Sequence, residues 1–229
     1  METDRVTWRI DLFGGLGAVS GGRTLPPFPT QKTGLLLARL AFPPQRPYTR
    51  EQVIDLLWPD AELESGRNRL NQTMVWLRRH LEPEGAVRGS VLETQRIHVG
   101  LNPAAVSTDV ADFEAALVAA ERSGDSEERT KGFVRAVSLY SGELLPAFYE
   151  DWVLSERQRL LNAYSGAVRQ LVRLREDAGD IPNRAGMRHL AWRQRIRHRG
   201  KKRQTPRYYR MEGAGARRVP NQEFRRRAR

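Results

Sequence analysis

One stretch limits the folds open to this chain. RNRLNQTMVWLRRHL, residues 67–81, repeats apolar side chains at Leu70, Met74, Leu77 and Leu81, in steps of four, three and four. At 3.6 residues per turn these positions form a single stripe, so the stretch reads as an amphipathic helix with one edge on a core. The other side carries Asn68, Gln72, Thr73, Trp76 and Arg79: amides, a hydroxyl, an indole and a guanidinium. Most such faces are merely solvated. What surrounds the helix decides whether this one does more.

Upstream, VTWRIDLFG alternates Val6, Trp8, Ile10 and Leu12 on one side, the pattern of a half-buried strand. GGLGAVSGGRTL adds two short β segments around a turn at Ser20–Gly22. A helix is expected from about Gln31 to Ala41, with Leu35, Leu36, Leu37 and Leu40 apolar, until FPPQRP breaks it. Thr49 then offers an N-cap, Gln52 completes a capping box, and Val53, Ile54, Leu56 and Leu57 follow before WPD stops that helix at Trp58. An acidic connector, AELES, leads into residues 67–81, which Glu82-Pro83-Glu84-Gly85 ends. SVLETQRIHVGLN reads as two strand pieces joined at Thr94–Gln95.

Strands, three helices, then a two-stranded hairpin is the element order of a winged helix, an α+β fold. Its third helix rests one edge on the core and offers the other to the major groove, which is about 12 Å wide and admits a helix. There Asn68 and Gln72 could pair with adenine and Arg79 with guanine, while Thr73 or Trp76 could touch thymine methyls or sugars. An exposed Trp76 would itself need a partner. Arg67, Arg69, Arg78 and Arg79 could neutralise phosphates, and Arg96 or His98 of the wing would lie near the minor groove or backbone.

From Thr108 the texture becomes all helical. TDVADFEAALVAAERSGD has an Asp109 cap and apolar Val110, Phe113, Leu117 and Val118; SEERTKGFVRAVSLYSGELL runs to Gly142; EDWVLSERQRLLNAYSGAVRQLVRLREDAGD runs to Gly179. Three helices separated by Ser/Gly/Asp turns suggest tetratricopeptide-like stacking. After Asp180 no apolar period survives, and RQRIRHRGKKRQTPRYYR and FRRRAR are expected to form a disordered basic tail. The division is therefore 1–105, a DNA-binding winged helix; 106–180, a helical domain; and 181–229, the tail.

The net charge of +12 invites a nucleic-acid reading for the wrong reason. Residues 181–229 hold 15 Arg and 2 Lys against Glu212 and Glu223, whereas residues 1–180 carry 22 basic and 25 acidic side chains. DNA binding by the body must rest on where its charges sit.

Other chemistry finds little support. The chain has no cysteine, which removes disulfides, thiolate metal sites and cysteine nucleophiles. Gly15-x-Gly17 meets Ser20 at the third glycine position and opens no helix, so it reads as a strand turn rather than a dinucleotide loop. His80 and His98 lack metal-ligand spacing, and Glu150–Asp151 are adjacent on a helix and point apart. No Walker loop or nucleophile–base set is present, so neither an enzyme, a metal nor a cofactor is expected. No run approaches the roughly 18 apolar residues of a membrane helix, and METDRVTWRI lacks a secretory signal. A soluble cytoplasmic protein without membrane contact is expected.

The stretches LFGGLGAVSGGRTLP, REQVIDLLWPD, SGRNRLNQTMVWLRRHLEP, VLETQRIHVGLN, DVADFEAAL and YSGELLPAFYEDWVLSERQRL occur in an order that is specific as a set. Through them residues 6–180 resemble the antibiotic-regulatory-protein (SARP) class of bacterial transcription activators. The front half is similar to the OmpR-type winged helix and the rear half to the bacterial transcriptional activator domain. The resemblance implies binding to double-stranded DNA and recruitment of RNA polymerase. It puts Asn68, Gln72, Thr73, Trp76 and Arg79 on the DNA-facing side, and it puts the connector Trp58–Ser65, with Asp60, Glu62 and Glu64, where polymerase is touched. The chain departs from the class after AGD, where further helical repeats would continue. A reading-frame change in a GC-rich gene or a selected basic arm would each give such an Arg-rich end.

The function expected is a sequence-specific DNA-binding regulator, an activator, with residues 106–180 carrying contacts to a second copy or a partner. Two rivals stand beside it: a protein-interaction module in which the winged helix is structural, and a remnant that holds nucleic acid non-specifically through its tail.

Overall fold

The computed structural model describes residues 7–43, 46–82 and 85–179. The basic tail expected over 181–229 lies outside the described residues.

The chain opens with three strands, β1 (Trp8–Asp11), β2 (Gly17–Ser20) and β3 (Arg23–Thr24). Gly21 and Gly22 both have positive φ, 54° and 80°, which lets a two-residue turn join β2 to β3 with the right twist. Helix α1 (Gln31–Ala41) starts at Thr30, whose hydroxyl accepts from the Thr33 N–H at 3.2 Å. A two-residue strand β4 (Tyr48–Thr49) runs straight into α2 (Arg50–Leu57). The capping box is formed: Thr49 Oγ1 accepts from Gln52 N–H, and Gln52 Oε1 from Thr49 N–H. Next come α3 (Leu63–Leu81), the hairpin β5 (Leu92–Thr94) and β6 (His98–Leu101), and β7 (Val106–Thr108). The helical part is α4 (Asp109–Arg122), α5 (Ser126–Leu139) and α6 (Asp151–Asp177).

Two sheets organise these elements. One has the order β3-β2-β1-β7, with β7 parallel to β1 in the register Trp8↔Val106, Arg9↔Ser107 and Ile10↔Thr108. The other is β4-β6-β5, all antiparallel. An α+β part is therefore followed by a helical part. One large core cluster takes in Trp8 and Ile10 of β1, Phe13 just after it, the leucines of α1, the apolar stripe of α3, and Phe113, Leu144 and Val153 beyond. A smaller cluster of Ala120, Phe133, Val137, Ala167, Leu171 and Leu174 lies among α4, α5 and α6.

Several joints were not legible beforehand. Trp8 Nε1 donates to the Leu81 carbonyl at 2.9 Å, fastening β1 to the end of α3. The cap of α4 is Thr108, its hydroxyl accepting from the Ala111 N–H, and not Asp109 as the sequence suggested. The Asp109 carboxylate is instead buried and accepts from the N–H groups of Leu12 and Phe13 at 2.8 and 2.9 Å. Val118, expected on the apolar face, is exposed, while Ala116 and Ala120 are buried. Helix α5 ends at Leu139, short of Gly142, and the chain turns back to meet the segment that follows β1. Leu144 bridges Phe13, and the Gly14 N–H donates to the Glu143 carbonyl at 2.7 Å. Arg157 of α6 locks that return by donating to the carbonyls of Leu144, Leu145 and Phe148. Leu145, buried there, holds φ at 44°, a left-handed conformation that costs a branched residue energy and persists because its surroundings fix it.

Candidate nucleic-acid interface

The buried stripe of α3 is complete: Leu70, Met74, Leu77 and Leu81 all lie in the core. The same steps of four, three and four, shifted by two residues, give Asn68, Gln72, Val75 and Arg79, and all four are exposed. A shift of two residues is a rotation of about 200°, so this second stripe runs along the side opposite the core. Asn71 is exposed beside it, with Arg67 and Arg69 one turn closer to the start of the helix.

Three residues expected on this face are used elsewhere. Thr73 is buried, and its hydroxyl donates to the Arg69 carbonyl at 2.9 Å. Trp76 is half-buried; its ring stacks on His80 at 4.1 Å and meets Phe28 at 5.7 Å. The partner that an exposed indole would need is thus supplied from within. Arg78 folds back against the hairpin, donating to Glu82 Oε2 at 3.2 Å, the Leu92 carbonyl at 3.1 Å and Thr94 Oγ1 at 2.6 Å. Its guanidinium is thus engaged within the fold. Arg67 forms an exposed ion pair with Glu64 at 2.8 Å, an interaction weak enough in water to exchange for a phosphate. Arg69, Arg79 and Arg96 make no ion pair among the described residues.

The hairpin is held at a set angle to α3. Glu82, 4% exposed at its side chain, accepts on Oε1 from the N–H groups of Gly89, Val91 and Leu92 at 2.9–3.1 Å, while Oε2 meets Arg78. One carboxylate therefore binds the end of the helix to the start of β5. The hairpin tip exposes Gln95, Arg96 and Ile97. Arg96 is thus exposed at the turn between β5 and β6. His98 is half-buried within β6, paired in register with Thr49, and so lies behind the tip.

Arg50 joins the pieces. Its N–H donates to the Ile97 carbonyl at 2.9 Å, and its guanidinium reaches Asn71 Oδ1 and, at 3.7 Å, Met74 Sδ. Sequence reasoning passed over Arg50, Asn71 and Val75. Asn71 could have been found from its i,i+3 spacing to Asn68; Arg50 gave no signal, because its role depends on long-range proximity.

The connector is also changed. Asp60 and Glu62 are exposed, but Glu64 lies in the first turn of α3 rather than before it. Trp58 packs half-buried on the core, and its N–H closes α2 on the Ile54 carbonyl at 2.7 Å. Among the described residues no three His, Asp or Glu side chains gather as a metal site would require, and no helix is long and apolar enough to cross a membrane.

No family model matches the chain, and no curated protein does. Among solved structures it is similar to Mycobacterium tuberculosis EmbR, determined in complex with a low-affinity phosphopeptide. The fold is shared with EmbR. The TM-score is 0.63 at 21% identity over 77% of this chain, and the match spans 47% of the EmbR chain, about half its length. At that identity the likeness is one of fold: an α+β part followed by helices.

Proposed function

We propose that this chain is a sequence-specific double-stranded-DNA-binding transcriptional regulator of the activator type. Residues 1–105 act as a winged helix in which α3 enters the major groove and the β5–β6 hairpin is the wing. The observation that carries the reading is the second stripe of α3: Asn68, Gln72, Val75 and Arg79, exposed directly opposite the buried one, with Arg96 exposed at the hairpin tip. Amides and a guanidinium on a rigid helix read base edges, and unpaired arginines beside them hold phosphates. The likeness of fold to EmbR and the SARP resemblance of residues 6–180 agree with it. On the same reading Asp60 and Glu62 form an acidic surface for RNA polymerase, and residues 106–180 receive a second copy or a partner.

Selection of the full-length protein against a pool of duplexes with a randomised central segment tests the proposal. The expected result is enrichment of a defined motif, with affinity for it lost on scrambling. Binding of every duplex alike, or of none, would leave the winged helix a structural or protein-docking module.

A further inference from the structure

Val75 is the feature of α3 that its own stability does not explain. It sits at mid-helix and is 67% exposed, although the opposite side of the same helix buries four apolar residues. A β-branched residue on an exposed helical surface lowers helix propensity and gains nothing from burial. Its neighbours are polar: Asn71 and Gln72 one turn before it, Arg79 one turn after.

We infer that the outer stripe of α3 reads A·T pairs and that Val75 is the contact for a thymine methyl; the inference rests on the DNA-binding reading above. In the major groove the thymine C5-methyl is the one apolar feature of a base edge, and adenine is the base whose N6 and N7 match a carboxamide bidentately. The stripe offers those two complements together, the amides of Asn68 and Gln72 beside the branched methyls of Val75. It has one guanidinium, that of Arg79, suited to guanine. Val75 is also stiff, with χ1 restricted in a helix, so its methyls are presented in a fixed place at small entropic cost. The backing is firm too: Asn71, one turn away on the same side, is tied by its Oδ1 to the Arg50 guanidinium, which also reaches Met74 in the buried stripe. Arg67, Arg69 and Arg96 around the stripe supply the cations that bring a polyanion to it.

The test uses the full-length chain and the duplex motif taken from the random pool. Each thymine is replaced in turn by deoxyuridine, which deletes the methyl and leaves pairing intact. At one thymine the affinity should fall about fourfold, the equivalent of one buried methyl group. Val75→Ala should bind the parent duplex with that same loss and be indifferent to uracil at that position. Its side chain is exposed, so folding is unaffected, and circular dichroism verifies this. A G·C motif, a motif insensitive to deoxyuridine, or a Val75→Ala protein that still senses the methyl would each overturn the inference while leaving DNA binding intact. Failure of the pool to yield any motif would instead overturn the DNA-binding reading on which the inference rests.

Discussion

Arg78 and Arg79 are neighbours in sequence and about 100° apart around α3, and that rotation gives them opposite duties. Arg78 is turned to the hairpin and spends its guanidinium on Glu82, Leu92 and Thr94; Arg79 is exposed on the outer stripe. Arg78→Ala removes the cation from a buried carboxylate and should cost about 2–3 kcal/mol of stability in urea unfolding. Arg79→Ala should leave stability within about 0.5 kcal/mol but cost about 1–3 kcal/mol of binding and relax preference at one base position. Exchange of these two phenotypes would contradict the assignment. Asn68→Ala and Gln72→Ala should each cost about 1–3 kcal/mol of binding and relax preference at one base position. The stripe of leucines was legible because its period is intrinsic to the helix. The width of the buried arc was not: Trp76 is covered in part by Phe28, distant in sequence, and Thr73 turns its hydroxyl back to the Arg69 carbonyl. Val75 gives no signal in the sequence, because an apolar residue usually belongs to a core.

Long helices with caps were readable at the scale of elements, and the shortest strands were not. The capping box at Thr49 stands as read, but β4 and β7, two and three residues long, carry no period and are defined by the strands they meet. Helix α3 also begins four residues before Arg67, because nothing in AELES interrupts a helix. Its seat on α2 depends on Gly66, where a Cβ would stand 2.5 Å from Ile54 Cγ2. Gly66→Ala should therefore destabilise the protein by about 1–3 kcal/mol and shift α3 enough to weaken binding. Ile54→Ala in the same chain should recover part of the binding, since it removes the clashing atom. Additive losses in the double variant would refute the steric account. The hairpin depends on Glu82 in the same way. Glu82→Gln keeps one oxygen for the three amides but loses the negative charge and the acceptor of Arg78, so amide hydrogen exchange at Gly89, Val91 and Leu92 should quicken. Unchanged protection would mean that the hairpin is held by other contacts.

Across the whole molecule, the N-terminal α+β part and the helices share side chains. Phe13 lies 5.6 Å from Phe113 and 4.8 Å from Tyr140, Tyr140 stacks on Tyr164 at 4.5 Å, and Arg39 of α1 lies 4.8 Å over the Trp152 ring of α6. Asp109 sits at this joint. Burial pushes its carboxyl above the ordinary value of 3.8, against the pull of the Phe13 and Leu12 N–H groups. The folded chain then holds the Asp109 proton more tightly than the unfolded chain, so this residue's share of stability falls as pH rises from 3.8 through the raised value. Wild type should be favoured over Asp109→Asn by more at about pH 3 than at about pH 7, and a margin that grows with pH would contradict it. The measurement that tests the central claim most directly is a salt titration of binding. It compares the full-length chain with one lacking residues 181–229, on the gene's own upstream DNA and on a scrambled duplex. A winged helix that reads bases predicts that the shortened chain still prefers the upstream sequence at physiological salt, with a shallower salt slope because the 15 Arg and 2 Lys of the tail are gone. Binding by the full-length chain alone, without preference and lost steeply with salt, would show that the tail is the whole effect.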